Sequence, residues 1–490
     1  MSGATIAIAM LAALFILALA NWRIAVAVAL ILLLYDGALR KWVLPEYQEW
    51  VYFAKDVLLL GTYLRFGWDR LHRGQRLLAS HPATTALMLT AVICVLELAN
   101  PSLPDVRVGL FGIRAYLMYV PLLFITPELL SSARNRRRAV TGLLLLSLVP
   151  LALGPIQFAS PADSIVNQYA WGSDNPGLGV ATSGSDTVRV TSTFAYITGF
   201  TTFLTLLGFT LVALIASKSH PFPLWALIAM LVLTTANLLM TGSRGPLLLV
   251  LLGALALAFL TTTNPQRDGT APRHWTLSGN PRLVVALGLV MVLTSVLFPD
   301  AVAAFVERAG ENQGDIAAYA RNMVTGPIAS MNAAGLAGYG VGSTYTGGLL
   351  FLLGSTDVGV PLAEQEWDRV ILELGPLGFA CVLGARLCVC YRLWTMRKKL
   401  LGTPEEPMIH AALLFAFAYL PGNLVFNGTA AMVYWIAAGM ALIPIRRERD
   451  PAVVHTGDLL AVPRVRDLRD APIPQLNPRG IASAPRAPAD

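Results

Sequence analysis

The sequence predicts an all-α, polytopic integral membrane protein of about 12–13 transmembrane helices, and three observations carry that prediction. Charge is scarce: of 490 residues, 55% are hydrophobic and only 13% are charged, where a soluble globular chain carries about 25%. The deficit is concentrated in long apolar runs, among them residues 5–20, 139–153, 224–240, 247–260 and 283–297. A bilayer is crossed by about 20 helical residues, and these runs approach that length. Short basic connections, finally, alternate with pairs of such runs. A soluble enzyme and a single-span receptor with a large domain are both excluded.

Taken in order, apolar runs begin near residues 3, 23, 50, 83, 112, 139, 193, 222, 245, 282, 368, 408 and 429. The first has no basic flank or cleavage site and reads as an anchor rather than a signal peptide. The first two are short, which leaves open that one is re-entrant. The third contains Lys55 and Asp56. Opposite charges inside a membrane usually pair, so these two are expected to form a structural pair, with a substrate contact as the other reading. The basic connections lie at 70–76, 134–138, around Lys218, and at 267–273, 397–399 and 446–449. Two runs separate each from the next, and the positive-inside rule then makes all of them cytoplasmic.

The opposite face receives the long connections 159–192 and 299–367. The second holds seven acidic residues against two arginines, Arg308 and Arg321. The membrane domain is expected to span residues 1–446. Residues 447–490, with mixed charge and seven prolines after Arg449, are expected to be a disordered cytoplasmic tail. The four cysteines (Cys94, Cys381, Cys388, Cys390) all fall in apolar runs, so no disulfide framework is implied. No nucleotide-binding glycine motif and no internal repeat is present, and no nucleic acid partner is expected.

Some basic residues break the orientation rule. Arg40, Lys41, Arg107, Arg114, Arg189, Arg244, Arg308, Arg321 and Arg369 fall at or near the outer surface. Arg244 interrupts two apolar runs in Thr241-Gly-Ser-Arg-Gly-Pro246, where charge is costly and marks a functional site by default. The guanidinium fork binds phosphate bidentately and keeps its charge. Several arginines at one interface therefore point to an anionic lipid head group such as a pyrophosphate, the alternative being arginines that merely snorkel to anchor helices. The six histidines fall on the cytoplasmic side or in the tail. An outer-face base is then a carboxylate, and Glu364 and Glu366, just before the run at 368, are the candidates; a solvated acidic loop end is the other reading.

At these residues the sequence resembles the O-antigen polymerase and O-antigen ligase superfamily of bacterial membrane glycosyltransferases. The Ser243-Arg-Gly245 turn looks like that superfamily's Ser-Arg-Gly pattern, and Arg189-Val-Thr-Ser-Thr-Phe194 like the segment closing its first large periplasmic loop. Gly338-Tyr-Gly-Val-Gly342 and Leu372-Glu-Leu-Gly-Pro-Leu-Gly378 resemble the motifs bracketing the second. Asp36-Gly-Ala-Leu-Arg-Lys-Trp42 looks like an N-terminal pattern of one polymerase-like branch. One departure is informative: Glu364 and Gln365 stand where ligases carry His followed by Asn, Ser or Gln. This favours a polymerase-like reading over a ligase. The polymerases' Arg-then-Gly spacing is not matched cleanly either, Arg321 to Gly338 being one residue too long.

The resemblance implies a GT-C-like fold in the bacterial inner membrane, with the long loops periplasmic. It implies an inverting, metal-independent glycosyltransferase, needing no cofactor, that polymerises undecaprenyl-pyrophosphate-linked oligosaccharides. Arg189 and Arg244, helped by Arg40, Lys41 or Arg321, would bind the pyrophosphate, and Ser243, Arg369 and Trp367 would be further substrate-binding residues. Glu364 or Glu366 would activate the acceptor hydroxyl. Trp171, Tyr169, Tyr319, Tyr339 and Trp367 are candidates for stacking on sugar rings. Membrane lipids and other polysaccharide-assembly proteins are the expected partners. Ligase, flippase or exporter, and inactive assembly partner remain the alternatives.

Overall fold

The computed structural model describes residues 3–170, 187–217, 220–262, 280–311, 313–363 and 365–443. Trp171, Lys218, Glu364, the connection 267–273 and the predicted tail lie outside the described residues. Seventeen α-helices and no strand occur among those described. They are α1 (Gly3–Ala20), α2 (Trp22–Ala38), α3 (Gln48–His72), α4 (Pro82–Leu96), α5 (Val106–Leu117), α6 (Leu122–Leu129), α7 (Ala133–Ala159), α8 (Ile197–Ala216) and α9 (Leu224–Met240). There follow α10 (Arg244–Thr262), α11 (Pro281–Leu297), α12 (Pro299–Glu311), α13 (Gln313–Ala334), α14 (Thr346–Leu353), α15 (Glu366–Lys399), α16 (Glu406–Ala418) and α17 (Gly428–Gly439).

Local chemistry sets many of the starts. Asn21, Ser132 and Asn280 accept backbone N–H groups at the beginnings of α2, α7 and α11, satisfying donors a helix leaves unpaired. Prolines in the first turn open α4, α11 and α16, where their missing N–H is no loss. Six helical segments are long and apolar enough to cross a membrane, and α11 with α12, bent by 96°, makes a seventh if it is one span. Apolar α1, α9, α10, α16 and α17 are shorter. The predicted runs thus recur as helices, but about half reach spanning length by themselves. α10 exposes Leu248, Leu252, Leu255 and Phe259 along one stripe, a face that suits hydrocarbon rather than water. α8 is the central helix: most of its residues are buried, and it packs on α9, α10, α16 and α17.

Two expectations change. Lys55 and Asp56 do not pair with each other. Consecutive helical residues diverge by about 100°, so Lys55 of α3 forms its ion pair with Asp36 of α2, and Asp56 pairs with Arg114 of α5. Tyr119 also donates to Asp56 at 2.9 Å. Connection 299–367 is not an open loop either: α12, α13 and α14 occupy most of it.

Several basic residues at the ends of the helices opposite the candidate site are paired. Arg70 pairs with Glu128, Arg136 with Glu405, and Arg282 Nη2 lies 3.0 Å from His220 Nε2. The opposite helix ends carry the candidate site.

Candidate functional site: an arginine and aromatic cluster

The site is organised by residues 189–196, an irregular segment before α8 that turns at Ser192 (φ 50°) and threads between three helices. Its backbone is held on both sides. Thr193 O accepts Ala38 N at 2.8 Å and Val190 N donates to Met240 O at 3.3 Å. Gln157 Oε1 of α7 accepts Ser192 N at 2.7 Å. Gly37 lets α2 approach the segment: a Cβ there would lie 2.1 Å from Ala195 N. Lys41 is buried and donates to Thr191 Oγ1 at 2.7 Å and Ser192 O at 2.9 Å. It therefore points into the protein and fastens this segment. The Asp36-to-Trp42 and Arg189-to-Phe194 motifs, more than 100 residues apart in the chain, are thus packed on one another.

Threading the segment this way delivers Arg189 to the turn between α9 and α10. Its Nε donates to Thr241 O at 2.9 Å, and Nη2 reaches Ser243 Oγ at 3.2 Å. Gly242 takes a positive φ of 63°, and the Arg308 guanidinium of α12 lies against it, 2.0 Å from where a Cβ would stand. Arg244 donates to the Arg308 carbonyl. Burial and the like charge of Arg308 push the Arg189 pKa below its ordinary value. Neither Arg189 nor Arg244 forms an ion pair with a carboxylate among the described residues. A guanidinium not already paired with a carboxylate is suited to bind an anionic group.

At the other end of the segment, Tyr196 interacts with the buried Arg40 guanidinium, which lies 5.6 Å from the Tyr52 ring. From Tyr52 an aromatic floor extends across the helix ends. Tyr345 bonds Tyr52 and stacks on Phe426 at 4.4 Å and on Phe111 at 5.5 Å. Arg114 covers Tyr52, Phe53 and Phe111 at about 5 Å, and Arg369 lies 5.7 Å from Phe426. Tyr52, Phe111, Tyr196, Tyr345 and Phe426 are the site residues that sequence reasoning missed. Their common signal is an aromatic at a helix end, too frequent in membrane proteins to single out five.

The remaining predicted residues divide. Ser243 belongs to the arginine cluster. Arg321 is exposed on α13, and no contact among the described residues joins it to the cluster. Trp367 Nε1 bonds Leu420 O at 3.4 Å, with its ring edge-on to Phe379, so it is packing. Tyr339 is tied to the Leu372 and Ala333 carbonyls. Tyr169 donates to Arg189 O at 3.3 Å. Glu366 is buried, ion-paired with Arg386, and accepts Leu424 N at 2.6 Å and Val425 N at 2.9 Å. With both oxygens so engaged it is a structural carboxylate rather than a base. Two residues on, Asp368 is also buried, and its Oδ1 has no hydrogen-bond partner among the described residues.

The two glycine motifs form a single joint. The 338–342 turn lies on α15, where Tyr339 N donates to Leu372 O at 2.7 Å and Glu373 Oε1 accepts Thr344 N and Oγ1 at 3.1 and 2.6 Å. At Gly375 the helix breaks (φ 67°, ψ 178°), and a Cβ would lie 2.2 Å from Leu336 O. Only glycine accepts both the φ and the contact.

Fold and site together define an all-helical protein of the membrane type, with a cationic, aromatic-lined cluster at one end of its helices. No protein-family model matches the chain, and no curated protein matches it.

Proposed function

We propose that the protein is a membrane glycosyltransferase of the O-antigen polymerase type, acting on a lipid-linked oligosaccharide at the outer face of a bacterial inner membrane. The observation that carries this reading is that Arg189 bonds Ser243, the chain neighbour of Arg244, while neither arginine is ion-paired with a carboxylate among the described residues. A polyprenyl pyrophosphate presented from the bilayer supplies the missing charge. The arginines stabilise that charge as it grows on the leaving group. The aromatic floor around Tyr52, Tyr196 and Tyr345 offers faces for sugar rings.

An acceptor hydroxyl attacks the anomeric carbon, the C–O bond to pyrophosphate breaks, and the hydroxyl proton passes to a carboxylate. Glu364 and Asp368 fill that role in this reading, because Glu366 is committed to Arg386. Glu364 in place of a ligase histidine favours a polymerase over a ligase. Transport is disfavoured because Lys55 and Asp56, the charges a carrier would use, are both locked in interhelical ion pairs.

The test is Arg244→Lys in proteoliposomes supplied with lipid-linked oligosaccharide. Charge is kept but the fork is lost, and polymer formation is expected to fall about a hundredfold. Polymerisation at the normal rate overturns the pyrophosphate role. Deleting the protein and sizing the lipid-linked glycans that accumulate separates the enzymes: single repeat units identify a polymerase, full-length chains a ligase.

A further inference from the structure

Two cavities meet at the basic end of the bundle, away from the cluster described above. The inner one, about 220 Å³, is enclosed by α2, α6, α7, α8, α16 and α17. Its walls are aliphatic and aromatic apart from Thr126 and Thr210. Both hydroxyls donate to carbonyls one turn back on their own helices, Leu122 O and Leu206 O, each at 2.8 Å. Nothing polar is left to hold water, and an apolar cavity of about 150 Å³ already stays dry and takes up apolar ligands. In a bilayer a hydrocarbon chain gains there the dispersion contacts that an empty cavity denies its walls.

The outer cavity, about 530 Å³, lies between the starts of α7 and α16 and shares Val140, Leu214, Pro407 and Met408 with the inner one. Its charged and titratable lining residues are Arg134, Arg136, Arg137, His220 and Glu405. Arg136 takes Glu405. His220 has both nitrogens engaged, Nδ1 with Phe222 O at 2.6 Å and Nε2 with Arg282 at 3.0 Å. Arg134 and Arg137 form no ion pair with a carboxylate among the described residues. A dry apolar hole thus continues into a vestibule with two uncompensated guanidiniums.

We propose that this is a binding site for an anionic phospholipid of the adjacent leaflet, its phosphate held by Arg134 and Arg137 and one acyl chain in the inner cavity. The vestibule's single carboxylate is already taken by Arg136, so a choline or ethanolamine ammonium has no partner there, and the site favours a net negative head group.

The full-length protein, equilibrated in detergent with equimolar phosphatidylglycerol and phosphatidylcholine, tests this by native mass spectrometry. Phosphatidylglycerol is expected to be retained preferentially. Arg134→Gln with Arg137→Gln is expected to weaken its retention roughly thirtyfold, about a factor of five per arginine, with phosphatidylcholine unaffected. Both arginines are exposed, and an unchanged melting temperature verifies the variant's fold. Excess inorganic phosphate and glycerol 3-phosphate, head groups without a chain, are expected not to displace the lipid. Equal retention of both lipids, unchanged retention by the double variant, or displacement by either soluble phosphate overturns the proposal. No outcome depends on glycosyl transfer, so this proposal and the proposed function fail independently.

Discussion

Glu366 and Asp368 stand two residues apart at the start of α15 and are both buried, yet their environments differ. Glu366 faces Arg386 and two backbone N–H groups, whereas Asp368 Oδ1 has no hydrogen-bond partner among the described residues. Glu366→Gln leaves the Arg386 charge buried without its partner, which costs on the order of 3–5 kcal/mol; thermal unfolding should show a lowered melting temperature and reduced yield. Asp368→Asn removes no ion pair found among the described residues. If Asp368 takes the acceptor proton, its variant stays folded and loses transfer by about 10²–10⁴-fold; normal transfer assigns the base to Glu364. Sequence singles out the acidic segment but not which carboxylate is free, because that depends on Arg386 twenty residues later and the backbone of residues 424 and 425.

Among the elements, the informative one is the irregular segment 189–196. It carries little of the apolar periodicity that reveals helices, yet it joins α2, α7 and the α9–α10 turn and delivers an arginine and a tyrosine to the two halves of the site. Gly37→Ala puts a methyl 2.1 Å from Ala195 N, so helix and segment must separate. The expected destabilisation is about 1–3 kcal/mol, measured as a lowered melting temperature, together with a loss of transfer because Arg189 and Tyr196 move with the backbone. Retained transfer at unchanged stability contradicts the role given to this contact. The motifs around Gly37, Arg189, Gly338 and Gly375 were all legible as short patterns. That they form two mutually packed pairs was not, since spacings of more than 100 residues for one and about 35 for the other carry no periodic signal.

For the whole molecule, alternation of basic connections predicts that successive apolar runs reverse direction. Among the described residues, Arg70 of the first basic connection pairs with Glu128 and Arg136 of the second with Glu405. Single cysteines at Ser102 and Ser131, both exposed, in a chain whose four native cysteines are replaced by alanine, should therefore react with a membrane-impermeant thiol reagent from opposite sides. The expected outcome is labelling of residue 102 from outside intact spheroplasts and of residue 131 only after lysis; labelling of both from one side rejects the topology.

Low charge and long apolar runs determined by themselves that the chain is helical and built for a membrane, because an unsatisfied backbone in hydrocarbon leaves few other solutions. Sequence also identified the basic residues that defy the orientation rule. Only the tertiary structure decided what each one does: Arg114 is neutralised by Asp56, Lys41 is turned inward as a fastener, and Arg189 is carried to Ser243, the chain neighbour of Arg244. The reason is physical. Burial of apolar surface follows composition and can be read locally, whereas the meaning of a charge depends on the neighbour that distant parts of the chain place beside it.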